Sequence, residues 1–166
     1  MGEPAIVEDG ELMLTREETA RTAAGYAEQG FLCSEAVLMA IGDLLGFKSE
    51  AIPRIATGFG AGMGRRGEVC GAASGGVIGL GLRFGRGAVE SDEGERRPYW
   101  YAAEFLDGFR ARCGGVRCRD LLGLDLSRPE DVEEYHRRGC WETRCRELIK
   151  TAAELAHDLL ETEPSG

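Results

Sequence analysis

Residues 71–84 read GAASGGVIGLGLRF, and whether this stretch is helix, strand or loop decides the fold class. Its apolar residues give no convincing strand, and the stretch is read as a helix. Each glycine inside a helix costs about 1 kcal/mol relative to alanine. Such a cost is retained where one backbone must approach another closely. Glycines 71, 75 and 79 stand at i, i+4 and i+8, on one helix face. That spacing would permit tight contact with a second helix.

Working outward, the upstream residues 58–67 read GFGAGMGRRG, a glycine-rich loop that Cys70 closes. Further upstream, Thr15 and Glu18 form a capping box that opens a helix running to Gln29, where Gly30 stops it. A second helix starts at Cys33 or Ser34. Its apolar positions Ala36, Val37, Ala40, Ile41, Leu44 and Leu45 recur at helical spacing, and Gly46 ends it. Ser49 is expected to cap a shorter helix, with Pro53 in its first turn and Ile52 and Ile55 inward.

Downstream, residues 86–97 read as a charged, flexible connection. Pro98 opens a helix whose aromatic start, Tyr99, Trp100 and Tyr101, is expected in the core. It ends at Cys113 and the pair Gly114-Gly115. Cys118 to Leu122 is one short turn. Ser127 caps a helix from about Pro129 toward Arg138. A last helix runs from about Trp141 to Leu160, with Leu148, Ile149, Ala152, Leu155, Ala156 and Leu159 as its stripe. The expectation is an all-α protein: an irregular bundle of six to eight helices in a single domain over residues 14–162, after a flexible N-terminal tail at 1–13.

The chain has 166 residues, 43% of them apolar, which suits one core. Its 20 basic and 29 acidic residues leave a formal charge of −9. That argues against nucleic-acid binding, which needs a basic face. The arginine pairs 65-66, 96-97 and 137-138 are scattered and read as solvated charge. Met1 to Gly10 carries no apolar core of a secretory signal. The most apolar run, Val69 to Leu82, is too short to span a bilayer, so no membrane insertion is expected. A cytoplasmic location follows as the expectation.

Six cysteines then need a reason. Disulfides are disfavoured in the cytosol, which leaves metal ligation or redox work beside the plainer role of a small buried hydrophobe. Cys33, Cys70 and Cys118 each stand at the start of a predicted helix. Unpaired amides and the helix dipole there should push a thiol toward thiolate, the form that attacks disulfides and binds metals. Arg65 and Arg66, just upstream of Cys70, add positive charge. No C-x-x-C occurs, so neither a thioredoxin-type dithiol nor a zinc finger is signalled. The two C-x4-C pairs, Cys113/Cys118 and Cys140/Cys145, are weak signals. Any joint site must be assembled by the fold.

Residues 62–67, GMGRRG, fit G-x-G-x-x-G, but no strand precedes them and a dinucleotide site is not expected. The loop could form a small anion-binding nest beside Arg65 and Arg66. His136 and His157 are expected to face solvent. His136 is the better ligand candidate, because Cys140 is near it in sequence.

Cys33 in FLCSEAVL, Cys70 in GEVCGAASG, Cys118 in CRDLLG and Cys145 in CRELIKTAAEL fall in an order that resembles a family of redox-active proteins. That family is named for its C…CGAxxG…C…C pattern. The CGAxxG element stands here as Cys70-Gly71-Ala72-Ala73-Ser74-Gly75, and the match spans roughly Thr15 to Leu160. The resemblance implies four characteristic cysteines and no assigned reaction. A similar segment precedes the haem region of split-Soret cytochromes c, where it is associated with an iron–sulfur centre. This chain lacks C-x-x-C-H, so covalent haem is not expected. Gly71, Ala72 and Gly75 become candidate cofactor-binding residues, with Arg65 and Arg66. Cys113 and Cys140 lie outside the pattern, so Cys140 is an alternate to Cys145 in fourth place.

Three functions follow. The first is an iron–sulfur or other metal centre on Cys33, Cys70, Cys118 and Cys145. The second is metal-free thiol–disulfide exchange, with Cys70 as the attacking thiolate and Cys33 as a further redox thiol. The third is a zinc-stapled or dimerising helical module that binds a partner. An enzyme of this kind would be an oxidoreductase component served by a redox partner protein. The glycine and aromatic helices suggest a homodimer.

Overall fold

The computed structural model describes residues 11–89 and 97–162. The elements are α1 (Arg16–Glu28), α2 (Cys33–Leu44), a 3-10 turn (Arg54–Phe59), the single turn α3 (Gly60–Met63), α4 (Gly71–Phe84), α5 (Trp100–Cys113), α6 (Cys118–Leu122), α7 (Pro129–Arg137), a π-turn (Trp141–Cys145) and α8 (Arg146–Glu161). The only strand-like pairing among the described residues is an isolated bridge between Val69 and Arg117. The chain is all-α, as expected. No described helix is long and apolar enough to cross a membrane.

The sequence signals at the first two helices act as read. The Thr15 hydroxyl accepts the Glu18 amide at 3.2 Å, and the Glu18 carboxylate accepts the Thr15 amide at 2.8 Å. Glu35 does the same for α2, accepting the Leu32 amide at 2.8 Å. This satisfies an amide that the helix itself leaves unpaired. Ala36, Val37, Ala40, Ile41 and Leu44 are fully buried.

The glycine face of α4 is spent on helix contacts within the chain. A Cβ added at Gly75 would lie 2.4 Å from the Ser34 carbonyl oxygen, and one at Gly79 would lie 2.5 Å from Ile41 Cδ1. On the other side, a Cβ at Gly76 would lie 2.2 Å from the Phe105 ring. The glycines therefore let α4 sit directly between α2 and α5. Of the two helices that suggested a homodimer, the glycine face of α4 is thus occupied within the chain.

Around this pair, α1, α5 and α8 close the core, with Leu80, Phe105, Phe109, Ile149, Ala152 and Ala156 fully buried. Residues 1–10 of the expected tail, and most of the expected connection at 86–97, lie outside the described residues. Leu12 and Leu14 pack on the core, and the Met13 amide donates to the Leu44 carbonyl at 2.8 Å.

Several local expectations are corrected. Residues 54–59 form a 3-10 turn, whose tighter winding rotates Ile55 outward, to 49% exposure, and buries Ala56 instead. The core beneath α5 is filled by Phe105 and Phe109. Tyr99 is exposed, and Trp100 and Tyr101 stack half-buried on Phe84. Ser127 turns its hydroxyl to Asp125 at 2.6 Å, and Arg128 occupies the cap of α7. His157 is buried rather than solvent-facing. Its Nε2 pairs with the Leu14 carbonyl at 3.2 Å, which ties α8 to the N-terminal segment.

Candidate functional site

Four cysteines from distant parts of the chain line one cavity of about 180 Å³: Cys33, Cys70, Cys118 and Cys145. Cys33 is the first residue of α2, Cys70 is the cap of α4, Cys118 begins α6 and Cys145 ends the π-turn before α8. Leu121, Leu122, Leu126, Val132, Trp141 and Leu148 make the walls mostly apolar. Cys140 is buried in the adjoining cluster with Cys118 and Leu122, and neither it nor Cys113 lines the cavity. All six cysteines are free.

Two backbone devices bring cysteines from distant segments to this cavity. The bridge between Val69 and Arg117 aligns Cys70 with Cys118. The Cys70 amide donates to Val116 O and the Cys118 amide to Glu68 O, each at 2.7 Å. Across from them, residues 61 to 65 run through five successive positive φ angles: 53°, 67°, 62°, 58° and 67°. This left-handed turn presses backbone against Cys118. A Cβ at Gly62 would lie 2.7 Å from Cys118 Cβ and 2.8 Å from the Glu68 amide. The Arg119 guanidinium donates to the carbonyls of Arg66 and Gly67 and holds the turn in place.

On the far wall the helix entering α8 is wound as a π-turn. The Cys140 amide donates to Tyr135 O at 3.2 Å and the Cys145 amide to Cys140 O at 2.9 Å. The first bond, with Gly139 at φ 58° and its amide on His136 O at 3.1 Å, is the Schellman cap that ends α7 and turns the chain; the second belongs to the π-turn. The Tyr135 hydroxyl reaches the Cys145 sulfur at 3.4 Å. Arg144, in the same turn, donates to the Cys113 carbonyl at 2.7 Å and so satisfies the end of α5.

Burial reverses the expectation that the helix starts favour thiolates. Burial first, then the neighbouring Cys33, pushes the Cys70 thiol well up. Cys118 is pushed up to about 12 by burial and by Cys33 and Cys145. Cys145 rises to about 11 by burial, against the Tyr135 hydrogen bond that lowers it. Cys33 is raised by burial, while the amides of Ala61, Ser34 and Ala72 favour its anion. The amides do point at sulfur as expected. They are outweighed because the sulfurs are desolvated and repel one another's charge. Burial also raises Tyr135, with Cys145 adding to it, so its hydroxyl keeps its proton.

The other candidate residues divide. Gly71 lines the cavity, and a Cβ there would lie 2.3 Å from Cys33 Sγ. The Ala72 amide serves Cys33 and Cys70. Gly75 is not at the cavity; its place is the α2 contact. Arg65 stands at the cavity mouth, while Arg66 faces an adjoining depression with Ser127 and Pro129. His136 is exposed at the cavity's edge. Sequence reasoning missed Val132 and Tyr135. The available signal was their i, i+3 spacing with His136 beside them, which marks one face of α7. Among the described residues, no group of three or more His, Cys, Asp or Glu is arranged to hold a single metal ion.

A family model described as "Putative redox-active protein (C_GCAxxG_C_C)" matches residues 31–159. Neither the curated proteins nor the solved structures yield a match.

Proposed function

The chain belongs to the C_GCAxxG_C_C family, and on that footing we propose that Cys33, Cys70, Cys118 and Cys145 hold a redox-active iron–sulfur or related thiolate-bound metal centre. The observation that carries this reading is that the four pattern cysteines line one apolar cavity. Soft sulfur donors without a lining carboxylate suit iron–sulfur clusters and other thiophilic metals.

The electrostatics point the same way. Four thiols raised by desolvation, three of them also by a neighbouring cysteine, resist ionising together unless positive charge enters between them. A bound metal centre supplies that charge and deprotonates its thiols outright. When bound, such a centre supplies one-electron transfer to a redox partner protein.

The chain's own part is to hold and insulate. The amides of Ala61, Ser34 and Ala72 point at sulfur and stabilise negative charge on it. Leu121, Leu122, Leu126 and Leu148 exclude water. Six free cysteines suit a reducing compartment such as the cytoplasm. Metal-free thiol–disulfide exchange is the weaker reading, because Cys70 is 5% exposed and its thiol is held neutral.

Anaerobic purification, followed by an absorption spectrum and iron, sulfide and zinc analysis, tests the proposal. A coloured protein with stoichiometric iron and sulfide, lost in Cys70→Ser, is the expected result. A colourless protein with zinc alone would establish the staple instead. A metal-free protein whose thiols disappear in pairs on mild oxidation would establish thiol exchange.

A further inference from the structure

We infer that Tyr135 sets the reduction potential of this centre through its hydrogen bond to the Cys145 sulfur. The inference rests on the reading above, that the four cysteines hold a redox centre.

Its hydroxyl oxygen lies 3.4 Å from Cys145 Sγ, with the ring half-buried in the cavity wall. A metal-bound sulfur has no proton to give, so the hydroxyl is the donor. Among the described residues, Tyr135 is the one side chain that hydrogen-bonds a cavity sulfur. Cys33 and Cys70 are served by backbone amides, whose direction no side-chain substitution alters.

The alignment is built in. α7 ends in a Schellman cap: Gly139 stands at φ 58°, its amide donates to His136 O at 3.1 Å, and the Cys140 amide donates to Tyr135 O at 3.2 Å. The chain turns there and continues through the π-turn, where the Cys145 amide donates to Cys140 O at 2.9 Å. Cap and π-turn together return Cys145 to Tyr135, and short π-segments of this kind recur at functional sites. The reversal thus has a chemical consequence: it places a phenol against the fourth sulfur.

The direction of the effect follows from charge. Reduction adds an electron and raises the negative charge on the sulfurs. An O–H dipole aimed at sulfur stabilises the reduced form more than the oxidised one, and so raises the potential. Tyr135 is therefore a positioning and tuning residue, and no bond to it forms or breaks.

The test uses the full chain in three forms: wild type, Tyr135→Phe, and protein carrying 3-fluorotyrosine at position 135, a stronger O–H donor. Iron and sulfide are measured first, then the potential by a redox titration followed in the visible spectrum. We expect equal loading. The reduction equilibrium constant should fall in Tyr135→Phe by about threefold to tenfold, a tenfold change being about 59 mV for one electron. It should rise in the fluorinated protein. If Tyr135→Phe fails to load, the fluorinated protein carries the test alone. Loaded proteins with one common potential overturn the inference and leave the redox-centre reading intact. A wild-type protein without iron and sulfide overturns the reading, and the inference with it, before any potential is measured.

Discussion

A Cβ built on Gly71 falls 2.3 Å from the sulfur of Cys33. The residue after the CGAxxG cysteine is thus glycine because another pattern cysteine occupies the space of its side chain. The Phe59 carbonyl at 3.0 Å and Gly60 Cα at 3.3 Å crowd the same point, so an alanine cannot lean away. Gly71→Ala should displace the Cys33 sulfur and abolish metal loading, and should cost about 1–3 kcal/mol by overpacking. Gly25→Ala is the control. Nothing lies within 4 Å of its Cβ, and it should stabilise α1 by up to about 1 kcal/mol. Urea titration of the metal-free proteins and iron analysis of the loaded ones check both.

Glu35 joins two elements at the cavity's edge. Its carboxylate accepts the Leu32 amide at 2.8 Å and the Thr57 hydroxyl at 2.5 Å, in a residue 8% exposed. Glu35→Ala strips the cap from α2 and leaves the hydroxyl of the exposed Thr57 to water. The cap is worth about 1 kcal/mol and the exposed hydrogen bond about 0.5–1 kcal/mol, so the sum should reach about 1–2 kcal/mol. Hydrogen exchange should show residues 54–59 opening more readily than in wild type. Unchanged exchange there would mean that the turn is held without Glu35.

The pattern of legibility follows from range. Short-range signals were readable: the Thr15–Glu18 box, the i, i+4, i+8 glycines of α4, and cysteines at helix starts. The α-class follows from them, and so do Cys33, Cys70 and Cys118 as a set; Cys145 joins that set only through the resemblance to the C…CGAxxG…C…C pattern. What was not readable depends on winding or on long-range burial. Ile55 reads as inward on an α period, whereas the chain winds there as a 3-10 turn. Tyr135 lies ten residues from Cys145, and it takes the chain reversal at Gly139 and the π-turn after it to bring them together. The thiolate expectation failed at Cys70 because a helix start is local, while the desolvation that outweighs it comes from α2, α6 and α8 folding over it.

That desolvation sets a pH dependence. A thiol whose pKa is higher in the folded than in the unfolded chain stabilises the fold below the unfolded value, about 8.5. That stability is lost as pH climbs through the folded value. For Cys118 the folded value is about 12, and for Cys145 about 11. The metal-free protein should therefore lose stability steadily from about pH 9 upward, and alkylate far more slowly than a free thiol at pH 8. Denaturant midpoints between pH 8 and 11 measure the slope, and Cys118→Ala should flatten it. A midpoint that rises with pH would contradict the burial argument.

The left-handed turn at 61–65 makes the last prediction, in which two opposing terms must be weighed. A non-glycine residue at positive φ costs about 1–2 kcal/mol, and Ala61, Met63 and Arg65 all stand there. Replacing one by glycine removes that strain but adds about 0.5–1 kcal/mol of unfolded-chain entropy. Ala61 and Arg65 line the cavity, so changing them confounds backbone with site. Met63 does not line it, but at 40% exposure it buries part of its side chain, so glycine is compared with alanine, which loses the same side chain. Met63→Gly should be more stable than Met63→Ala by about 0.5–1 kcal/mol, because strain exceeds entropy. The mirror experiment is Gly64→Ala, at φ 58° with nothing within 4 Å of its Cβ. It should destabilise by about 0.5–1 kcal/mol through conformation alone, the strain being partly offset by the unfolded-chain entropy that alanine removes. A preference for glycine over alanine at both positions is a result that side-chain packing does not produce. Were glycine and alanine equivalent at both, the turn would not hold its left-handed form in solution, and the close approach of Gly62 to Cys118 would lose its support.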